Sequence, residues 1–452
     1  MNKLHKNFLG FLEGIMKIRA FKNTWMAVLF LMISFIVFPN QIFSKTTKTS
    51  KVAKPSPKAQ TTHKAQTPQK TQAVPTIESS LHCDAQSAVL MDGLTGQVLY
   101  EQNSQLRIPP ASFVKVLTLY LVFDAIRAGQ LKMDDMVTVS EKAWRIQGSK
   151  MFIKVGDRVK VEDLLKGVAI ASGNDACIAL AEHLSGSEEV FVTKMNEKAK
   201  LLGLKDSQFR NSHGMPDDEQ FTTAMDMAIL SRSYIENHPE ALTFHSTVEF
   251  EYNGIRQGNR NILLQKNIGV DGLKTGHIGE SGYHLVATAR RDGQRMIAVV
   301  MGCDKVRKRA PEVQKLLEYG FRNFSTVEVV KKGASFGPVK VRRGKLREIT
   351  LIAAEDGRVT VARGKENTVS VNPQLPQFVA APIQKGQVVT KAIIQNEGKG
   401  VKEVGLLASI DVQKTILPPW PVTVAVIAGL VLIGFIGFWR FRRPKQKKFG
   451  SS

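Results

Sequence analysis

The run Phe113–Phe123 is the strongest constraint on the fold. Phe113, Val116, Leu117, Leu119, Tyr120, Leu121, Val122 and Phe123 make a helix that is apolar nearly all round. Such a helix must be buried, with other elements built around it. Pro109 and Pro110 stop any helix before it, and Ser112 stands where an N-cap is ordinarily found. Lys115 breaks the pattern, because an ammonium inside an apolar helix is costly to bury. Positions three apart share a helix face, which brings the Lys115 amine beside the Ser112 hydroxyl. A lysine desolvated there, near the positive end of a helix, is pushed towards its neutral form. It can then take a proton from the serine. The pair reads as a nucleophile and its base.

At 452 residues the chain exceeds a typical single domain. Its formal charge of +23 first suggests nucleic acid, but residues 1–22, 45–76 and 440–452 carry 17 of those charges. The remaining +6 on residues 77–439 leaves a mildly basic body, so no nucleic-acid partner is expected. Residues 1–44 combine a basic start with the apolar run Trp25–Phe38, as a signal peptide or signal anchor does. Residues 45–76 are rich in Lys, Thr, Gln and Pro and form a disordered basic linker. Residues 420–439 are long and apolar enough for a transmembrane helix, with Trp420 and Trp439 at its ends. Arg440, Arg442 and Arg443 follow, so residues 440–452 make a basic cytoplasmic tail and everything before the span lies outside. The membrane is thus an expected partner. Cys83, Cys177 and Cys303 allow at most one disulfide.

Between these segments two textures alternate. SAVLMDGLTGQVLYEQN from Ser87 predicts a β-hairpin, and a helix-rich stretch runs from Ala111 to about His238. Strands return at Thr247–Tyr252 and in the segment from Tyr283 to Cys303, and a helix follows over Pro311–Phe321. Residues 77–324 therefore predict an α+β catalytic domain, an antiparallel sheet with helices. Residues 325–415 carry seven short alternating segments, VEVV, PVKV, ITLIAA, RVTVA, TVSV, QFVAAPI and QVVTKAII, and predict a small all-β sandwich.

Ser112 is the only serine followed three places later by lysine. Two triplets come after it in order: Ser172-Gly173-Asn174, then Lys274-Thr275-Gly276. Either triplet alone is cheap, and Ser-x-Asn recurs at Ser370–Asn372 inside the β domain. The ordered trio within one domain is the serine acyl-transfer signature. Cys177 reads as a small buried hydrophobe, and His213 with Asp217, Asp218 and Glu219 as a solvated loop.

With these motifs the chain resembles the low-molecular-mass penicillin-binding proteins, the serine-type D-alanyl-D-alanine carboxypeptidases of the peptidase S11 family. The likeness extends over GVAIASGNDACIALAEHLSG, NGIRQGNRNILLQKN, VDGLKTGH and GYHLVATARRDG. The resemblance implies a β-lactamase/transpeptidase-like fold that removes the terminal D-alanine from peptidoglycan pentapeptide stems, and β-lactams as covalent inhibitors. It implies Ser112 as nucleophile, Lys115 as base, Ser172 as proton relay and Asn174 as orienting group. Lys274 and Thr275 would bind the substrate carboxylate, Gly276 would keep the strand clear, and His277 with Ser112 would give oxyanion N–H groups. Serine, lysine and backbone dipoles supply the chemistry, so no cofactor or metal is expected. Two departures stand out: Val114 and Ile278 occupy places where the family commonly has threonine. The exported domain and its anchor imply the outer side of a bacterial cytoplasmic membrane. Rival readings are a class A-like β-lactamase, which lacks its Glu-x-x-Leu-Asn loop here, and a non-turning-over membrane-bound β-lactam sensor or scaffold.

Overall fold

The computed structural model of the chain describes residues 81–415 and 420–442. The export segment expected at 1–44 and the linker at 45–76 lie outside the described residues, as does the tail beyond Arg442. Strands β1 (Ser87–Asp92) and β2 (Val98–Gln102) form the expected hairpin. Helix α1 (Val114–Arg127) follows a single 3₁₀ turn over Ala111–Phe113. Helices α2 (Asn174–Ser185), α3 (Glu188–Leu201) and α4 (Ala224–Asn237) complete the helical block. Strands β3 (Val270–Ile278), β4 (Gly282–Arg291) and β5 (Gln294–Cys303) return to the sheet, and α5 (Val306–Asn323) closes the domain. The sheet is antiparallel in the order β2-β1-β5-β4-β3, which leaves β3 on an edge.

The continuous apolar runs in β1 and β5 follow from burial on both faces. Val89, Met91, Ile297, Val299 and Met301 pack with α1 and the helical block. Their alternates Ala88, Leu90, Met296, Ala298 and Val300 pack with Val313, Leu316 and Leu317 of α5. The period of two sends successive side chains to opposite cores. The helix expected over Pro311–Phe321 begins a turn earlier, at Val306. Pro311 lies inside it, and Arg309 and Ala310 before it are buried.

The second domain contains β6 (Phe324–Val330), β7 (Ser335–Arg342), β8 (Glu348–Ala353), β9 (Gly357–Ala362), β10 (Val369–Pro373), β11 (Phe378–Ala380), β12 (Val388–Asn396) and β13 (Lys399–Ala408). A sheet ordered β10-β12-β13-β8-β7-β11 packs with the pair β6-β9. Strand β13 was not expected, since Gly400 and Gly405 interrupt its alternation. The two domains meet at Asp92, which is fully buried. Its carboxylate accepts from the Thr326 and Thr360 hydroxyls at 2.5 and 2.9 Å and from the backbone N–H groups of Leu94 and Thr95. Four residues after Thr415 comes α6 (Trp420–Arg442), 23 residues long and apolar enough to cross a bilayer. Cys83, Cys177 and Cys303 are buried free thiols.

Candidate active site

The 3₁₀ turn that opens α1 lifts Ser112 out of the core while Ala111, Phe113 and Val114 stay inside it. One turn on, Lys115 is fully buried. Its Nζ donates to Ser112 Oγ at 3.0 Å, to Asn174 Oδ1 at 2.8 Å and to the carbonyl of His213. Burial pushes the Lys115 amine down to about 8, and the nearby Arg260 guanidinium pushes the same way. The amine is thus satisfied as a donor while its charged form is disfavoured.

Ser172 sits at the end of a tight turn of π type, Gly167–Ala171, in left-handed backbone with φ 61°. This is a strained place for a residue other than glycine. The turn aims its hydroxyl at Ser112 Oγ, 3.1 Å away. From the opposite side Lys274 Nζ donates to Ser172 Oγ at 3.0 Å and to the Thr275 carbonyl at 3.2 Å. Lys274 is held well below its ordinary value, first by burial and then by Lys115 and Arg260. A continuous hydrogen-bonded row therefore runs Lys115, Ser112, Ser172, Lys274. Asn174 caps it, its Nδ2 donating to the Gln147 carbonyl at 2.7 Å.

Strand β3 brings Lys274, Thr275, Gly276 and His277 past the nucleophile turn along its free edge. A Cβ on Gly276 would lie 3.2 Å from the Ala111 methyl and 3.3 Å from the Pro110 carbonyl oxygen. The glycine therefore lets the strand press against the turn carrying Ser112. His277 is exposed, stacked on Tyr283 with ring centroids 4.0 Å apart. Val114 lies entirely in the core, and Ile278 is half-buried at the end of the strand.

Sequence reasoning missed several neighbours. His213, expected in a solvated loop, is 6% exposed, and its backbone carbonyl receives Lys115. The loop is pinned by Glu188, whose Oε1 accepts from the Ser212 N–H at 2.9 Å and hydroxyl at 2.7 Å. Burial works to raise the Glu188 carboxyl, but the Ser212 bonds and Lys142 hold it below its ordinary value. His213 is pushed down to about 4, by burial first and by Lys115 and Lys142 next, against the pull of Glu188. It is neutral at pH 7. Its Nδ1 accepts from Met215 N–H, which puts the ring proton on Nε2, facing Glu188 Oε1 at 3.4 Å. Gly214 completes the contact: a Cβ there would stand 1.9 Å from the Ala111 carbonyl oxygen. The His-Gly pair in NSHGM was the available signal. Asp217, Asp218 and Glu219 are exposed as expected.

Two arginines extend the row of cations. Arg260 donates to Ser149 Oγ at 2.9 Å, and Arg309, 9% exposed, reaches the Gly276 and Arg260 carbonyls at 3.5 and 3.4 Å. Burial lowers both, and neither forms an ion pair among the described residues. Asp175 is fully buried but is used on a loop, accepting from the N–H groups of Met151, Phe152 and Ile153. Lys115, Lys274, Arg260 and Arg309 thus gather around the nucleophile, and none of the four forms an ion pair among the described residues.

A protein-family comparison matches residues 70–305 to the peptidase S11 model, described as D-alanyl-D-alanine carboxypeptidase. The chain belongs to the peptidase S11 family. Residues 324–414 match the C-terminal domain of penicillin-binding protein 5. Among S11 relatives, D-alanyl-D-alanine carboxypeptidase DacC of Escherichia coli is 44% identical over 340 residues, covering 73% of this chain and 85% of that protein. DacF of Bacillus subtilis is 38% identical, covering 74% and 88%. Penicillin-binding protein 5 from Haemophilus influenzae has a similar solved structure, with TM-score 0.69, 38% identity and coverage of 74% and 99%. The S11 catalytic domain and the penicillin-binding protein 5-type β domain are therefore the fold of this chain.

Proposed function

We propose that the chain is a serine D-Ala-D-Ala carboxypeptidase that trims the last D-alanine from peptidoglycan pentapeptide stems, with Ser112 as its nucleophile. The observation that carries the reading is the hydrogen-bonded row Lys115–Ser112–Ser172–Lys274. Neutral Lys115 takes the Ser112 proton as Oγ attacks the carbonyl carbon of the penultimate D-alanine. The developing oxyanion is met by the backbone N–H groups of Ser112 and His277; losing such a donor costs on the order of 100-fold or more in rate. The C–N bond then breaks, and the departing amine takes its proton through Ser172, leaving an ester on Ser112. Water hydrolyses that ester and restores the serine. Lys274 and Thr275 hold the terminal carboxylate, which gives the Lys274 amine the acidic partner it lacks among the described residues. Asn174 fixes the Lys115 amine and the substrate amide.

A β-lactam presents a strained amide next to a carboxylate and so follows the same route as far as the ester. Penicillin-binding protein D2 from Listeria monocytogenes, 32% identical, is known in an ampicillin-bound form. The helix α6 anchors the body to the outer face of the bacterial cytoplasmic membrane by a single span. Purified protein given diacetyl-Lys-D-Ala-D-Ala should release free D-alanine, and penicillin should add its mass to the peptide containing Ser112. An adduct on any other peptide, or no D-alanine release, would refute the assignment.

A further inference from the structure

We propose that the end of the β domain next to α6 is a seat for anionic lipid headgroups, resting on the reading of α6 as a membrane anchor. Residues 343–347 form a loop laid against the last described residues of the domain. Gly344 bridges to Lys414, the Lys345 N–H donates to the Gln413 carbonyl at 2.9 Å, and the Thr415 N–H donates to the Arg343 carbonyl at 2.8 Å. The neighbouring bridge Ile383–Val412 brings Lys385 to the same end. Arg342, Arg343, Lys345, Arg347, Lys385 and Lys414 are all exposed, and none forms an ion pair among the described residues. Arg342 lies over the Phe378 ring, and Lys345 donates to the Gln413 side chain. The acids at this end are Glu348 and Asp411, the latter accepting from the Lys385 N–H at 2.7 Å, so the excess is strongly positive. Leu346, 43% exposed, projects among these cations.

The position selects the partner. Only four residues separate Thr415 from Trp420, where the apolar helix begins, so five Cα-to-Cα steps join them. Fully extended, they reach about 17 Å. That tether is short enough for the basic loop to settle within one Debye length of the headgroups, about 8 Å at physiological salt, where each lysine or arginine adds attraction to an anionic surface. A leucine among cations is the side chain expected to dip into the interface.

The test uses the full chain in lipid nanodiscs, with an environment-sensitive fluorophore on Leu346→Cys; the native thiols are buried and escape labelling. Discs are pure phosphatidylcholine or contain roughly one third phosphatidylglycerol, and a headgroup spin label reads proximity. Quenching should be about threefold or more greater on anionic discs, and roughly 0.5 M salt should remove the difference. Arg343→Gln, Lys345→Gln, Arg347→Gln and Lys414→Gln together should abolish the difference while D-alanine release from a soluble peptide stays normal. Equal quenching on both discs, or a response to soluble polyanion without headgroup quenching, overturns the proposal and leaves the anchor intact. Failure of the chain to enter either disc overturns the anchor reading and this one with it.

Discussion

Consider the acylation of Ser112 by a fluorescent penicillin as pH is raised from about 6 to about 9. Only the neutral Lys115 amine can accept the serine proton, and burial places that amine at about 8. Its neutral fraction is then about 1% at pH 6, about 9% at pH 7 and half at pH 8, so the bimolecular acylation rate should climb about ninefold from pH 6 to 7, about fivefold from pH 7 to 8, and level off above pH 9. Stopped-flow fluorescence measures it directly. The same shift has a stability consequence with a definite sign. Lysine in the unfolded chain titrates near 10.5, so between pH 8 and 10.5 the unfolded state holds more protons, and stability attributable to Lys115 rises through that window. The gain is about 3 kcal/mol at about 1.4 kcal/mol per unit, read as the pH dependence of the difference between wild type and Lys115→Met in denaturant unfolding. A flat acylation profile between pH 6 and 8, or a step near pH 5, would mean that another group takes the proton.

Lys115→Ala should leave a folded protein that no longer acylates; normal D-alanine release from that variant would remove Lys115 as the base. Gly214→Ala should lower acylation about 100-fold or more, because the added methyl would push on the Ala111 carbonyl beneath the nucleophile; an unchanged rate would show that the turn yields freely. Asp175→Ala leaves buried N–H groups of the Met151–Ile153 loop without an acceptor and should cost about 2–4 kcal/mol, measured by thermal unfolding. Glu188→Gln keeps the size but weakens the hold on Ser212 and should slow acylation about tenfold without moving its pH midpoint by more than a fraction of a unit. A midpoint displaced by a full unit would instead make Glu188 part of the proton path.

Phe113–Phe123 announced both a central helix and a misplaced lysine because local pattern alone decides those two facts. The hairpin at Ser87 and the alternating β domain were legible for the same reason. The row of cations was not, since Arg260 and Arg309 come from distant segments whose meeting depends on the sheet. His213 was misread because its contribution is a backbone carbonyl, which side-chain chemistry does not advertise. Gly276 was recognised, but its packing against Ala111 and Pro110 was not legible, because which neighbour a missing methyl makes room for is a question of packing. Strand β13 escaped because its two glycines erase the alternation that marks the others, and its pairing with β12 supplies what its own residues lack.

The knot of hydroxyls and amides around Asp92 bears on more than folding. A carboxylate that gathers donors from both domains with no exposure to solvent leaves little freedom for one domain to swing on the other. On the reading of α6 as an anchor, this joint makes the two domains one lever, and the reach of Ser112 above the lipid is then set by the length of the β domain and by the short segment between Thr415 and Trp420.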